Sequence, residues 1–345
     1  MHEALLYQKM PNGVIRCHTC QWNCRINPNH LGVCQVYQNI NGSLFSLNYG
    51  RTSSVAVDPI EKKPLYHFYP GSQVFSLGSW GCNFHCTGCQ NWEIACPDTY
   101  ERLFSSRTLL PEQAVSMARE HHCQGIAFTY NEPTVWFEYT LDCARLAKNN
   151  GLYTVYVTNG YMTADALDTI GPYMDAFRVD IKGFKADTYK KLSKIQHWEK
   201  ILATTERAKS QWGMHVEVVT NIIPTYNDDP EQLTGIARWI KTRLGELTPW
   251  HVTRFYPCRD MLDVPPTPFE TLEKAVEIGQ GEGLKYVYMG NVPGHKSETT
   301  CCPKCGQVLI RRHGYDTEIC GLDNDHCRHC RSKLYIRLSS PTEGE

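Results

Sequence analysis

Residues 74–89 read VFSLGSWGCNFHCTGC. The first seven, VFSLGSW (74–80), are apolar and β-favouring and read as a strand. The next residues break that pattern with Gly81 and place Cys82, Cys86 and Cys89 in a CxxxCxxC loop. Three thiols grouped just after a strand put metal-binding chemistry at the strand's C-terminal end. Parallel α/β folds carry their sites there.

Working outward, short apolar runs alternate with helical patterns. GIAFTY (125–130), LYTVYVT (152–158), AFRVDIK (176–182), MHVEVVTNII (214–223), HVTRFYP (251–257) and KYVYMG (285–290) read as further strands. PEQAVSMAREHH (111–122), TVWFEYTLDCARLAKNNG (134–151), DTYKKLSK (187–194) and EQLTGIARWIKTRL (231–244) read as helices, with Pro111 suited to a first turn and Gly151 to a last one. Alternating βα units predict an α/β fold with a parallel sheet. About six or seven such units predict a full or partial (β/α) barrel. On the N-terminal side, SLFSLNYGR (43–51) alternates as a strand, and Pro64, Pro70 and Gly71 mark the exit from a first segment. Three segments follow: a cysteine-rich 1–71, the βα series 72–295, and a second cysteine-rich piece, 296–345. The last has too little apolar periodicity to fold on a core of its own and needs a staple.

With 345 residues and 41% hydrophobic content the chain can bury one sizeable core. Its 35 basic and 36 acidic residues nearly cancel, so nothing draws it to nucleic acid or to an acidic membrane surface. No apolar run reaches the roughly 18 residues of a membrane span. The start, MHEALLYQKMPNG, lacks the apolar core of an export signal, and a cytoplasmic protein is expected. The 17 cysteines are the outlier. In a reducing compartment, tightly spaced cysteines are metal ligands rather than disulfide partners.

Three thiolates can ligate three irons of a [4Fe–4S] cubane and leave the fourth iron open. The amino and carboxylate groups of S-adenosylmethionine (SAM) can chelate that iron. The competing reading is a zinc site that borrows His85. Cys302, Cys305, Cys327 and Cys330 form a CxxC…CxxC pair with zinc-ribbon spacing, and zinc is the expected metal. Cys301, Cys320 and His326 are spare candidates. Cys17, Cys20, Cys24 and Cys34 form a second four-thiol set, for which zinc and an auxiliary iron–sulfur cluster both remain open. Cys96, Cys123, Cys143 and Cys258 read as unliganded, and His251 as a packed residue.

The strings GCNFHCTGCQNWEIA (81–95), FTYNEPT (128–134), VTNGY (157–161), VDIKGF (179–184), IIPTYND (222–228), PWHVTRFYP (249–257), MLDVPPTP (261–268), YVYMGNVPGH (286–295) and CPKCGQVLIRRHGY (302–315) make the chain resemble radical SAM enzymes of the pyruvate formate-lyase activase kind. Within these, it resembles most the radical SAM component of the AmmeMemoRadiSam system. The resemblance implies a barrel of radical SAM type holding a [4Fe–4S] cluster on Cys82, Cys86 and Cys89. It further implies that SAM is held by Tyr130, Asn131 and Glu132, where the family usually has Gly-Gly-Glu, by Thr158 and Asn159, and by Asp180 and Lys182. Gly88 stands where activases usually carry an aromatic against the adenine, and Phe84 or Trp92 is the expected substitute.

The expected function is reductive cleavage of SAM to a 5′-deoxyadenosyl radical. That radical would abstract hydrogen from a partner protein, as a glycyl-radical activase does, or from a small substrate. No residue is singled out as a catalytic acid, base or nucleophile. A flavodoxin or ferredoxin is the reductant the resemblance implies, and Memo-like and AMMECR-like proteins or a glycyl radical enzyme are the partners. The alternative from another class is a non-catalytic zinc-binding module that docks protein or RNA.

Overall fold

The structure is a computed structural model and describes residues 1–96, 100–292 and 296–338. The expected junction at 295/296, the end of the string 286–295 and the tail from 339 onward lie outside the described residues.

Eight strands build the central sheet: β1 (Ser54–Pro59), β2 (Gln73–Gly78), β3 (Gly125–Phe128), β4 (Tyr153–Thr158), β5 (Ala176–Asp180), β6 (His215–Ile222), β7 (Trp250–Arg254) and β8 (Val287–Gly290). Each pairs with the next in chain order. The pairings from β2 to β8 are all parallel, whereas β1 runs antiparallel to β2, with Ser54 opposite Gly78. The two ends of the row, β1 and β8, do not pair with each other among the described residues. The sheet is therefore the partial, open form of the expected barrel.

The strand sequences explain this arrangement. Every residue of β3 and β4 is buried, as in a parallel sheet covered on both faces. Helices Pro111–Glu120, Phe137–Asn149, Ala164–Ile170, Glu199–Ser210, Pro230–Trp239 and Phe269–Gly281 fill the crossovers. Asp229 caps Pro230–Trp239 by accepting from Gln232 N, with proline at the first position. The expected helix over 134–151 divides into a 3₁₀ turn, Pro133–Trp136, and the α-helix proper.

The first segment departs from expectation. SLFSLNYGR is not one strand. Ser43–Ser46 pairs with Tyr37–Ile40, and Arg51–Thr52 pairs with Arg107–Thr108. Gly50 separates them at φ 70°, a backbone region closed to most side chains. The sheet also begins earlier than Ser72, because β1 lies inside the first segment.

Below the sheet, Ile60–Pro70 closes the barrel floor. Glu217 on β6 is fully buried and accepts the backbone N–H groups of Tyr66 at 3.0 Å and His67 at 2.7 Å. It also bonds the rings of His215 at 3.0 Å and His251 at 2.7 Å, so His251 is a packed residue of the floor. The C-terminal segment seals this end. Tyr335 stacks on His215 with ring centroids 4.5 Å apart, and Arg337 N donates to His67 O at 2.7 Å.

Candidate active site

At the opposite end, the C-terminal ends of β2 to β7 surround a cavity of about 520 Å³. That lies within the usual range for small-ligand sites, about 300–1,000 Å³. Cys82, Cys86 and Cys89 line it together with Tyr130, Asn131, Glu132, Thr158, Asn159, Asp180 and Lys182. Residues drawn from four separate strand ends thus meet at one place.

The cysteine loop is held from several sides. Phe84 N donates to Cys82 Sγ at 3.3 Å, and Asn159 Nδ2 lies 3.9 Å from the same sulfur. Cys86 Sγ lies 3.7 Å from Ser193 Oγ, and Thr87 N donates to Leu192 O. Burial pushes all three thiols up, Cys89 to about 11. Metal coordination overrides such a shift, because a bound thiol is deprotonated outright. His85, the fourth ligand in the zinc reading, turns instead toward Cys96, with Nδ1 to Sγ at 3.8 Å.

Tyr130 resolves the missing glycines. It sits at φ 72°, the left-handed conformation that favours glycine. Its ring packs on Gly78, where a Cβ would come within 2.9 Å of Tyr130 Cδ2. Its hydroxyl donates to Asp58 Oδ2 at 2.7 Å. Burial alone would raise the Asp58 carboxyl, but Lys62, Lys63 and Tyr130 outweigh it and hold the group well below the usual range.

Asn131 and Glu132 brace the site rather than presenting free side chains. Asn131 accepts from Ser79 N at 3.0 Å and donates to Gly81 O at 2.8 Å, which fixes the start of the cysteine loop. Glu132 is 2% exposed, and both of its oxygens are engaged. They accept from Thr134 N at 3.0 Å, Thr158 Oγ1 at 2.7 Å and Asn159 N at 2.7 Å. Asn159 in turn donates to Asn83 Oδ1 at 2.7 Å. Asp180 pairs with Lys182 at 3.2 Å and also with Arg178. Burial opposes the charge on Asp180, but Arg178 and Lys182 outweigh it and lower the carboxyl. Burial likewise opposes the charge on Lys182, and Asp180 outweighs it and raises the ammonium.

Residues 79–240 match the Radical SAM superfamily. An uncharacterized protein of Methanocaldococcus jannaschii is 44% identical over 342 residues, 98% of this chain and 100% of its own length. The chain belongs to the radical SAM superfamily. It is also 23% identical to a glycyl-radical enzyme activating enzyme, so named, of the same organism, over 63% of this chain and 79% of that one. It is 26% identical to the pyruvate formate-lyase-activating enzyme of Clostridium pasteurianum, over 50% of this chain and 72% of that one. A radical SAM enzyme implies a [4Fe–4S] cluster and SAM. The donor set fits both, since three thiols and a lysine–aspartate pair face one ligand-sized cavity.

Other features of this radical SAM site were not anticipated. Arg178, Asn221, Thr253, Asn291 and the two lysines Lys62 and Lys63 also line the cavity, as does Tyr315 from the C-terminal segment. Arg178 stands two residues before Asp180 on the same face of β5, so strand alternation was the available signal. Nothing in the sequence pattern marks Tyr315. Trp92 does not line the cavity, whereas Phe84 does. At Gly88 a Cβ would come within 2.8 Å of Met261 Sδ, so Met261 takes the space an aromatic there would need.

The outer cysteines separate into two kinds. Cys302, Cys305, Cys327 and Cys330 bring all their sulfurs within 4.8 Å of one another, with Cys302 to Cys330 at 3.6 Å and Cys305 to Cys327 at 3.7 Å. Zinc–sulfur bonds of about 2.3 Å give a tetrahedral edge of about 3.8 Å, so this group is shaped for one tetrahedral ion. Cys301, Cys320 and His326 fall outside it. Cys17, Cys20, Cys24 and Cys34 line a separate enclosed cavity. No helix among the described residues is long and apolar enough to cross a membrane.

Proposed function

We propose that this radical SAM enzyme is of the activase type and abstracts hydrogen from a partner protein, a glycyl radical enzyme being the first choice. The meeting of Cys82, Cys86 and Cys89 with the ends of β3, β4 and β5 in one cavity carries the cluster and SAM site, and the likeness to two proteins named as activating enzymes carries the activase type. A [4Fe–4S] cluster held by those cysteines would supply the one-electron reduction that splits SAM into methionine and a 5′-deoxyadenosyl radical. The protein's own part is positioning. Lys182, held charged by Asp180, receives the SAM carboxylate. The left-handed backbone at Tyr130 offers main-chain groups to the SAM amino group. Glu132 keeps Thr158 and Asn159 fixed beside the cysteine loop. The ribbon at 296–345 carries zinc, the segments 1–71 and 72–295 work together as one body through the shared sheet, and the setting is cytoplasmic. A flavodoxin or ferredoxin supplies electrons, and Memo-like and AMMECR-like proteins are further partners. The non-catalytic docking alternative has no support beside membership in an enzyme superfamily.

The test is anaerobic reconstitution followed by SAM and dithionite, with 5′-deoxyadenosine read by chromatography. Wild type is expected to form it and Cys86→Ala to form none. Lys182→Ala is expected to raise the KM for SAM about tenfold or more, the scale of one lost charge-assisted contact. A Cys86→Ala variant that still makes 5′-deoxyadenosine would overturn the site assignment. The activase reading fails if no candidate partner acquires a glycyl radical signal in electron paramagnetic resonance under conditions where SAM is cleaved.

A further inference from the structure

We propose that Cys17, Cys20, Cys24 and Cys34 hold a second iron–sulfur cluster rather than a single zinc ion. The inference is independent of which substrate or partner the enzyme serves. All four are free thiols, and Cys17, Cys20 and Cys34 are buried. Their side chains line one enclosed cavity of about 10 Å³, otherwise walled by residues such as Ile26 and Val135. No acidic, basic or histidine side chain lines it, so the thiols have no charged partner there. Four cysteines around one small space, three of them buried and none in a disulfide, are a ligand shell.

Spacing decides the occupant. Among the described residues, only the ribbon cysteines bring three or more ligand atoms within 4.8 Å of one another. A lone zinc ion needs that compactness, because all its sulfurs lie about 2.3 Å from one centre. The N-terminal four do not meet it, and neither do Cys82, Cys86 and Cys89 of the active site. A polynuclear cluster spreads its thiolates, because several irons and sulfides lie between them. The same chain thus holds one compact set of zinc dimensions and two spread sets, and the N-terminal four fall with the active-site three.

The local backbone is that of bound thiolate. Thr19, Trp22 and Val36 turn a main-chain N–H toward the sulfur two residues earlier, on Cys17, Cys20 and Cys34. Phe84 does so for Cys82 in the central loop, and Lys304 and Ser332 for Cys302 and Cys330 in the ribbon. Such contacts stabilise a thiolate on either metal, so they support a ligand shell, and spacing alone chooses the occupant.

The test reads metal content and needs no activity. The Cys82→Ala, Cys86→Ala, Cys89→Ala triple variant is reconstituted anaerobically with iron and sulfide. Iron and sulfide are expected to remain in equal amounts, about four each per chain for a cubane or about two each for a two-iron cluster, with visible charge-transfer absorption. Adding Cys20→Ser and Cys34→Ser is expected to abolish both. A triple variant with no iron and about two zinc per chain overturns the proposal. So does iron that persists after the added substitutions. If a variant does not fold, total iron in the wild-type chain decides: about six to eight supports the second cluster, and about four overturns it.

Discussion

At the residue scale, side chains do jobs that their motif positions do not announce. Tyr130 occupies a glycine conformation because its ring and hydroxyl are clamped between Gly78 and Asp58. Glu132 serves through its neighbours, since every hydrogen bond it makes is to a protein donor. Glu132→Gln keeps the volume but turns an NH₂ toward donors. It is expected to lower stability by about 1–3 kcal/mol in urea unfolding, because a buried donor loses its acceptor. It should also weaken SAM binding through displacement of Asn159. His67 gives a pH effect. Burial lowers its ring to about 3, and it is hydrogen-bonded to Tyr288 Oη and Tyr335 O. The unfolded chain takes up this proton near pH 6.5 and the folded chain does not. Stability therefore falls as pH drops from about 6.5 toward 3, at up to about 1.4 kcal/mol per pH unit. His67→Gln, compared with wild type at pH 7.5 and pH 5, is expected to show a smaller loss between the two. The site's outline was legible because cysteines and charges at strand ends have few other uses. The bracing was not, because a motif names a residue type and not which of its atoms are already bonded. Arg178 shows the same limit: alternation placed it on the site face, yet only the fold brings it onto Asp180.

At the element scale, seven parallel strands could be read from β-branched runs, and the number of βα units pointed to a full or partial barrel. β1 could not. SVAVDP is half exposed, ends in proline and lies on the sheet's edge, where neither composition nor burial imposes a strong pattern. The C-terminal hairpin, Val308–His313 with Asp316–Ile319, was foreseen as a metal-stapled piece but not as a seal for the barrel. Arg312 anchors it. The buried guanidinium donates to Thr300 Oγ1 at 2.8 Å and to Tyr66 O, and lies 3.6 Å from Glu61. Arg312→Ala leaves Glu61 buried without its cation, and a loss of about 3–5 kcal/mol is expected. Arg312→Met with Glu61→Gln should recover part of that loss in the same denaturation assay. Cys327→Ala breaks the four-thiol set of the ribbon, and is expected to abolish metal uptake there and to open residues near 300–338 to limited proteolysis, because a metal on those thiols would supply the folding energy of so small a piece.

At the scale of the whole molecule, the three expected segments interlock. Residues of the first segment contribute β1 and the barrel floor. Its cysteines pack on the active-site loops, where a Cβ at Gly81 would come within 2.7 Å of Cys34 O and Trp22 Nε1 donates to Asn83 O at 2.7 Å. A chain starting at Ser72 is expected to yield no native circular dichroism spectrum, since β2 loses its antiparallel neighbour β1 and Glu217 loses the N–H groups of Tyr66 and His67. The metal-loaded full chain should give one calorimetric transition rather than three. The row of strands carries a further consequence, for birth on the ribosome. Because every strand pairs with the one synthesised just before it, the sheet can extend by one unit at a time as the nascent chain emerges, with little waiting on distant partners. The floor is the exception. Tyr335 and Arg337 meet His215 and His67 only after the last strand of the sheet has been made, so synthesis that stops just past β8 leaves a formed sheet over an unsealed base.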